Sequence, residues 1–516
     1  MKNNKPNFII IMTDQQRADL RRKCGYSLDT MPFLDSWAAG GVDFRQAYTP
    51  NPACMPARVS MFTGRYSQTH KSRTNKSKED ALYTKDMLDI MKEEGYITAL
   101  CGKNHSHRDD RDFDVCFPSG HTNFPGAKTR EEIDFNKYMD ETRFSHSTVV
   151  SPGDVTLQFP YRNVTQAFDF MDNRTGGKPF FLWLSFAEPH NPYQAPYPYY
   201  DMFPPEALPP ANSPEVLADK GYKFRWIYET WGKVLGPDRA ALVQRMRSNY
   251  HGMLRLLDDQ LKRLMTGLDE RHLTDNTVIV YLSDHGDFAG EYGLMRKGPE
   301  LPEVLTHIPM IWRGPGIRAQ GTVDGFFVNI VDIFPTVCDI IGAEIPFGCQ
   351  GKSILPLLTC ENIPAHEYDT AYSESGIGGL YWDDNDTLTY KNEGGASEKL
   401  SLDELNSWTQ GGQVRMLRKG DYKIQLDMMG SGYLYNVRAD PGEINNLWND
   451  AAFESVKMDM ITGLCAAMMR NTDDIPSAHR QLRAKIHPKH YWEQPYHETK
   501  TEFVQTPPLW EIARKK

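Results

Sequence analysis

The chain has 516 residues, 40% of them hydrophobic and including 24 Phe and 25 Tyr, enough to bury a large core and, by length, to form two or more domains. Its 39 Gly and 34 Pro are ordinary for a globular enzyme and exclude a collagen-like or disordered chain. Acidic residues outnumber basic ones by 68 to 58, a formal charge of −10, which argues against a nucleic-acid partner but leaves room for a small basic site that takes an anion.

The first apolar run, residues 8–12, ends at Thr13-Asp14 and is too short for a signal-peptide core. The expectation is a soluble protein, cytoplasmic as written; a chain already trimmed of a leader would read the same way and be periplasmic or secreted. Four β-prone runs each end in a polar cluster. Residues 7–12 lead into Thr13-Asp14-Gln15, and 96–101 into Gly102-Lys103-Asn104-His105. Residues 180–187 lead into Glu188-Pro189-His190, and 277–282 into Ser283-Asp284-His285-Gly286. Unbroken apolar runs of this length suit strands covered on both faces. None could cross a bilayer, so no membrane association is expected.

Helical patterns lie between the runs. Residues 84–94 have helical spacing and stop at Gly95, a fitting C′ glycine. Residues 239–268 read as one long amphipathic helix. Alternating strands and helices predict an α/β fold, a mainly parallel sheet flanked by helices. Ligands of such sheets bind beyond the carboxyl ends of the strands. Four segments should therefore bring Asp14, Lys103 with His105, His190, and Asp284 with His285 to one rim.

Around residues 360–410 the texture turns polar, with loops expected at 383–386 and 392–397. The chain is accordingly divided into a catalytic domain at 1–375 and a smaller C-terminal α+β subdomain at 376–516. The latter should hold strands at 413–426 and 433–437, a helix at 451–469 and a tail from 472 that wraps the main domain. Eight cysteines without CxxC pairs read mostly as buried thiols.

Cys54 is the exception. It opens the string Cys54-Met55-Pro56-Ala57-Arg58, followed by Thr63-Gly64-Arg65. Alone, Cys-x-Pro would be a turn with a buried thiol. Asp14 and Asp284 offer hard carboxylate oxygens for a divalent cation, and Gln15 and His285 can add neutral ligands. Lys103, His105, His190 and Lys297 supply cations and acid–base groups. Each could be merely structural by itself.

Together these strings resemble the sulfatase family, related to alkaline phosphatase. The resemblance extends to Val331-Asp332-Ile333-Phe334-Pro335-Thr336, Gly351-Lys352-Ser353 and Leu434-Tyr435-Asn436 through Glu443. It implies a sulfuric ester hydrolase in which a maturation enzyme, formylglycine-generating or anaerobic, oxidises Cys54 to formylglycine. One hydroxyl of the aldehyde hydrate attacks sulfur, and the other expels sulfate by re-forming the carbonyl. Arg58 would stabilise the hydrate, Lys103 and Lys297 the sulfate oxygens, and His105 the protons at residue 54. His190 with Lys297 would protonate the leaving alcohol.

Two positions depart from the commonest family pattern. Gln15 stands where a second aspartate is frequent and His285 where asparagine is frequent. Calcium is still the expected metal, with manganese or another transition metal made more compatible by the imidazole. The same variant occurs in relatives that include certain glycan sulfatases and phosphonate monoester hydrolases, which gives hydrolysis of phosphonate monoesters or phosphodiesters as an alternative activity. A non-catalytic binding protein on the same scaffold is the third reading. The basic loop after the nucleophile, with Lys71, Arg73, Thr74, Asn75 and Lys76, could receive a second anionic group. A small sulfated saccharide, such as a glycosaminoglycan fragment, is the expected substrate.

Overall fold

The computed structural model describes residues 5–472 apart from 76, 122, 123, 125, 143, 144, 175, 299 and 378–411. The loops expected at 383–386 and 392–397, Lys76 and nearly all of the wrapping tail lie outside the described residues. The main sheet has eight strands. They are β1 (Asn7–Asp14), β2 (Val42–Tyr48), β3 (Ile97–Gly102), β4 (Val115–Pro118), β5 (Phe180–Pro189), β6 (Thr277–Ser283), β7 (Met310–Arg313) and β8 (Gly321–Asn329), in the order β4-β3-β5-β1-β6-β7-β2-β8. Only β7 runs against its neighbours. The sheet is thus mainly parallel, in agreement with the expectation.

The unbroken apolar run of β1 follows from its central place. Ile9 and Ile11 face one core, with Leu254, Leu257 and Leu261 of the helix Arg239–Glu270. Phe8, Ile10 and Met12 face the other, with Ala57, Met61 and Phe62 of the helix Cys54–Thr63. A strand alternates its side chains between faces, so one buried on both must be apolar at every position. Gly95 follows the helix Met87–Glu93 at φ 84 and is the helix-ending glycine that its sequence predicts.

A second, antiparallel sheet joins β9 (Thr370–Ser375), β10 (Val414–Lys419), β11 (Tyr422–Asp427) and β12 (Gly432–Asn436) in the order β12-β11-β10-β9. The helix Glu454–Asn471 packs on it through Met460, Leu464 and Ala467. Among the described residues, no helix is long and apolar enough to cross a membrane.

Candidate active site

Sheet register sets the framework. Thr13 pairs with Ser283, so Asp14 and Asp284 leave adjacent strands side by side. Asp14 itself pairs with Pro189, next to His190. β3 ends at Gly102, φ 109, where a Cβ would stand 2.0 Å from the Ser185 carbonyl oxygen. Only glycine allows that approach, and it delivers Lys103 to the rim.

Cys54 is the first residue of its helix, and the Asn75 side chain accepts the Met55 N–H at 3.1 Å. The thiol therefore sits at the positive end of a helix, where an anion is favoured. Its Sγ lies 3.5 Å from Asp14 Oδ1, 3.3 Å from His285 Nε2 and 3.1 Å from Lys297 Nζ. One ligand-type atom from each of Asp14, Cys54, Asp284 and His285 falls within 4.8 Å of all the others.

Arg58, one helical turn on, ties the carboxylates together. Its Nε donates to Asp284 Oδ2 at 3.0 Å and its Nη2 to Asp14 Oδ2 at 3.1 Å. Its Nη1 donates to Ser185 Oγ at 2.7 Å and to the Lys103 carbonyl at 3.1 Å. Lys103 pairs with Asp14 Oδ2 as well. The cations thus hold the Oδ2 atoms and leave both Oδ1 atoms on the side of Cys54 and His285.

The electrostatics are dominated by burial. Burial alone would raise the Asp14 carboxyl, but Lys103, His190, Arg58 and His285 hold it well below the usual carboxylate range. Asp284 moves up, through burial and the adjacent Asp14 charge. Burial and Asp14 oppose ionisation of Cys54, yet Lys103, Lys297 and His285 bring its thiol well below the ordinary value. Burial, then His121, pushes His190 far down. Such perturbed groups gathered in one place mark functional sites.

The remaining expected residues lie around this cluster at different distances. His190 is buried, its Nδ1 2.6 Å from the Asn191 carbonyl and its ring 4.2 Å from that of His121. His105 Nε2 lies 3.3 Å from the Asn75 carbonyl, and its Nδ1 is buried without a hydrogen-bond partner among the described residues. In the basic loop, Arg73 reaches Gln68 at 3.4 Å, the Thr74 N–H donates to Ser77, and Lys71 terminates a short helix with φ 67. Asn75 contacts both the Cys54 helix and His105, which gives it a structural task.

Sequence reasoning passed over Asp287 and Tyr193. Asp287 Oδ2 accepts from the Tyr193 hydroxyl at 2.6 Å and from the Gln15 side-chain amide. Its Oδ1 accepts the Arg296 N–H at 2.9 Å, one residue before Lys297. Gln15, at φ 72, turns its own N–H to Asp284 Oδ1 at 3.1 Å. A charged residue in the string Asp284-His285-Gly286-Asp287 was on view, but nothing in its spacing points to Gln15. His121, in a polar loop, was likewise missed.

The residues suit a divalent cation. Both buried carboxylates turn an Oδ1 atom toward the His285 imidazole, that of Asp284 also accepting the Gln15 and His285 N–H groups, and Gln15 Oε1 is buried with no hydrogen-bond partner among the described residues. Unpaired buried acceptors are costly unless something binds them.

Comparison with known proteins places the chain in a family. An arylsulfatase of Clostridium perfringens is 29% identical over 399 residues, 70% of this chain and 80% of that protein. The phosphonate monoester hydrolase of Agrobacterium radiobacter shares the fold at TM-score 0.73 and 21% identity, covering 90% of this chain and 96% of that one. A protein crystallised with its substrate D-glucosamine-2-N,6-O-disulfate, BT4656, shares it at TM-score 0.67 and 21% identity, covering 92% and 100%. The sulfatase family model matches residues 6–343, a span that contains every residue of the cluster. The chain belongs to the sulfatase family of sulfuric ester hydrolases.

Proposed function

We propose that the chain hydrolyses sulfate monoesters borne by a saccharide, with residue 54 as formylglycine and a divalent cation held by Asp14, Gln15, Asp284 and His285. The observation that carries this reading is the convergence of Asp14, Cys54, Asp284 and His285 within 4.8 Å, with Arg58, Lys103 and Lys297 around them. When present, the hydrated aldehyde supplies a nucleophilic oxygen with a built-in release route, and the cation supplies electrophilic stabilisation of the sulfate oxygens. Calcium suits the carboxylates, and manganese suits the added imidazole.

The chain's own residues do the rest. Lys103 and Lys297 neutralise charge that grows on the sulfate oxygens in the transition state. Arg58 keeps both carboxylates in place through their Oδ2 atoms. Burial and His121 lower the pKa of His190, and an incoming anion offsets that effect, so that it and Lys297 can hand a proton to the leaving oxygen. His105, beside the start of the Cys54 helix, moves protons at residue 54. Lys71 and Arg73 offer charge to a second anionic group of the sugar. Maturation requires an oxidising partner enzyme of the formylglycine-generating or anaerobic type.

The similarity in fold to a phosphonate monoester hydrolase supports a second reading, hydrolysis of phosphonate monoesters on the same cluster. The pair Lys103 and His105 favours sulfate. Matured protein should turn over an aryl sulfate and, faster, one of a panel of defined sulfated mono- and disaccharides. Preference for phenyl phosphonate over every sulfate ester would replace the first reading by the second. The peptide carrying residue 54, from a host with a maturation enzyme, should show the mass of the aldehyde; an intact thiol there with full activity would refute the proposed nucleophile.

A further inference from the structure

We propose that with residue 54 as an unmodified cysteine the cluster is a zinc site with Cys54 as fourth ligand, so that the thiol form is a soft-metal site and the matured form a hard-metal one. The argument rests on distances between the donor atoms. A tetrahedral zinc ion has bonds of about 2.3 Å to sulfur and about 2.0–2.1 Å to nitrogen or oxygen, which places its ligand atoms roughly 3.3–3.6 Å apart. In this protein Cys54 Sγ lies 3.3 Å from His285 Nε2 and 3.5 Å from Asp14 Oδ1. His285 Nε2 lies 3.8 Å from Asp14 Oδ1 and 3.8 Å from Asp284 Oδ1. Four of the six edges of the ligand tetrahedron are thus within a few tenths of an ångström of what zinc requires, and the two that join Asp284 to Cys54 and to Asp14 are within 4.8 Å.

The surroundings fit the same ion. A thiolate and an imidazole select zinc over calcium, which prefers six to eight oxygens. The Oδ2 atoms are engaged by Arg58 and Lys103, so each carboxylate turns one oxygen to the cluster, that of Asp284 also accepting the Gln15 and His285 N–H groups. His285 Nδ1 lies 2.8 Å from the Gly286 carbonyl, which fixes the tautomer that leaves Nε2 as the ligand. As the Zn–S bond forms, the thiol proton passes to solvent, and no oxidant or reductant is needed. Thiolate and two carboxylates exceed the zinc charge by one negative charge, beside which stands the Lys297 ammonium, 3.1 Å from Sγ. Oxidation of Cys54 removes the soft ligand and leaves oxygen and imidazole donors. That second half rests on the formylglycine reading given above; the zinc site of the thiol form does not.

Full-length protein made in a host without maturation activity, with the Cys54 thiol verified by mass, is the material for the test, and Co2+ is the probe. The expected result is a thiolate-to-cobalt charge-transfer band in the near ultraviolet with intense tetrahedral d–d bands, abolished by one equivalent of Zn2+. Cys54→Ser should lose the charge-transfer band and weaken zinc binding by more than about tenfold, since even losses outside the ligand shell cost that much. Cobalt bound without a charge-transfer band in the unsubstituted protein would overturn the inference whether or not the variant folds. Equal zinc affinity of thiol and aldehyde forms would overturn the difference between them. Sulfate ester hydrolysis by the matured protein is scored separately: its absence would defeat the proposed function and leave the zinc site standing.

Discussion

Arg58 and Asp284 form an ion pair, Nε to Oδ2 at 3.0 Å, in which both side chains are wholly shielded from solvent. The same guanidinium holds Asp14 at 3.1 Å, so it separates two carboxylates that would otherwise repel in a low-dielectric interior. Removing one partner of a buried pair typically costs about 3–5 kcal/mol. Arg58→Ala should therefore lower the urea midpoint by that equivalent in metal-free protein. Arg58→Lys should recover little, because an ammonium cannot span two carboxylates as a guanidinium fork does. A loss under about 1 kcal/mol for Arg58→Ala would mean the pair contributes no more than a surface contact.

Asp287 links Gln15 to the segment that carries Lys297. Asparagine in its place keeps one acceptor oxygen and loses the charge that strengthens four hydrogen bonds. The expected outcome for Asp287→Asn is a loss of about 1.5–3 kcal/mol in stability, together with weaker divalent-metal binding measured by calorimetry. Tyr193→Phe should act in the same direction and less strongly, since its hydroxyl bonds to the same carboxylate at 2.6 Å. Unchanged metal affinity in both variants would confine Asp287 to a purely architectural role.

His70 gives a pH dependence with a definite sign. Burial, then His107 and Arg65, lowers its folded-state pKa to about 3, while an unfolded histidine titrates near about 6.5. Between those values the unfolded chain binds the extra proton, so His70 destabilises the fold increasingly as pH falls through that window. From pH 7 to 5 this contribution amounts to about 2 kcal/mol. Denaturant unfolding of the native protein should lose that much more than His70→Gln does over the same range. Parallel profiles for the two proteins would show that His70 is not held neutral.

Substitutions in the basic loop test the proposed saccharide contact apart from the anchoring of the Cys54 helix. Lys71→Ala with Arg73→Ala should raise KM for sulfated oligosaccharides and leave small aryl sulfates nearly unchanged. Asn75→Ala should lower kcat on both classes, because Asn75 accepts the Met55 N–H and so anchors the helix that begins at Cys54; loss of such a cap costs about 1 kcal/mol. Equal effects of the lysine–arginine pair on both substrate classes would remove the loop from saccharide recognition.

The strands that carry the cluster were legible because their burial on both faces forces continuous apolar runs, as in residues 8–12 and 277–282. β2 and β8 were not, since Val42–Tyr48 mixes Asp43, Arg45 and Gln46 with apolar residues and β8 is exposed over its first half. β7, four residues long, has too little sequence to show a period. Asp14, Cys54 and Asp284 could be picked out from the motifs around them. Asp287 and Tyr193 could not, because their partner Gln15 is distant in the chain and only the folded sheet brings them together.

The smaller sheet grips the stretch just beyond the Cys54 helix. Glu374, in β9, accepts the Ser67 hydroxyl at 2.8 Å and the Gln68 N–H at 2.6 Å, and the Thr69 hydroxyl donates at 2.9 Å to the carbonyl of Asn471, at the end of the last described helix. A protein truncated ahead of residue 370 would keep every group of the cluster in its sequence yet lose the clamp on the segment that follows the Cys54 helix. Trimming the molecule from its C-terminal side should thus damage alignment before it removes any chemistry.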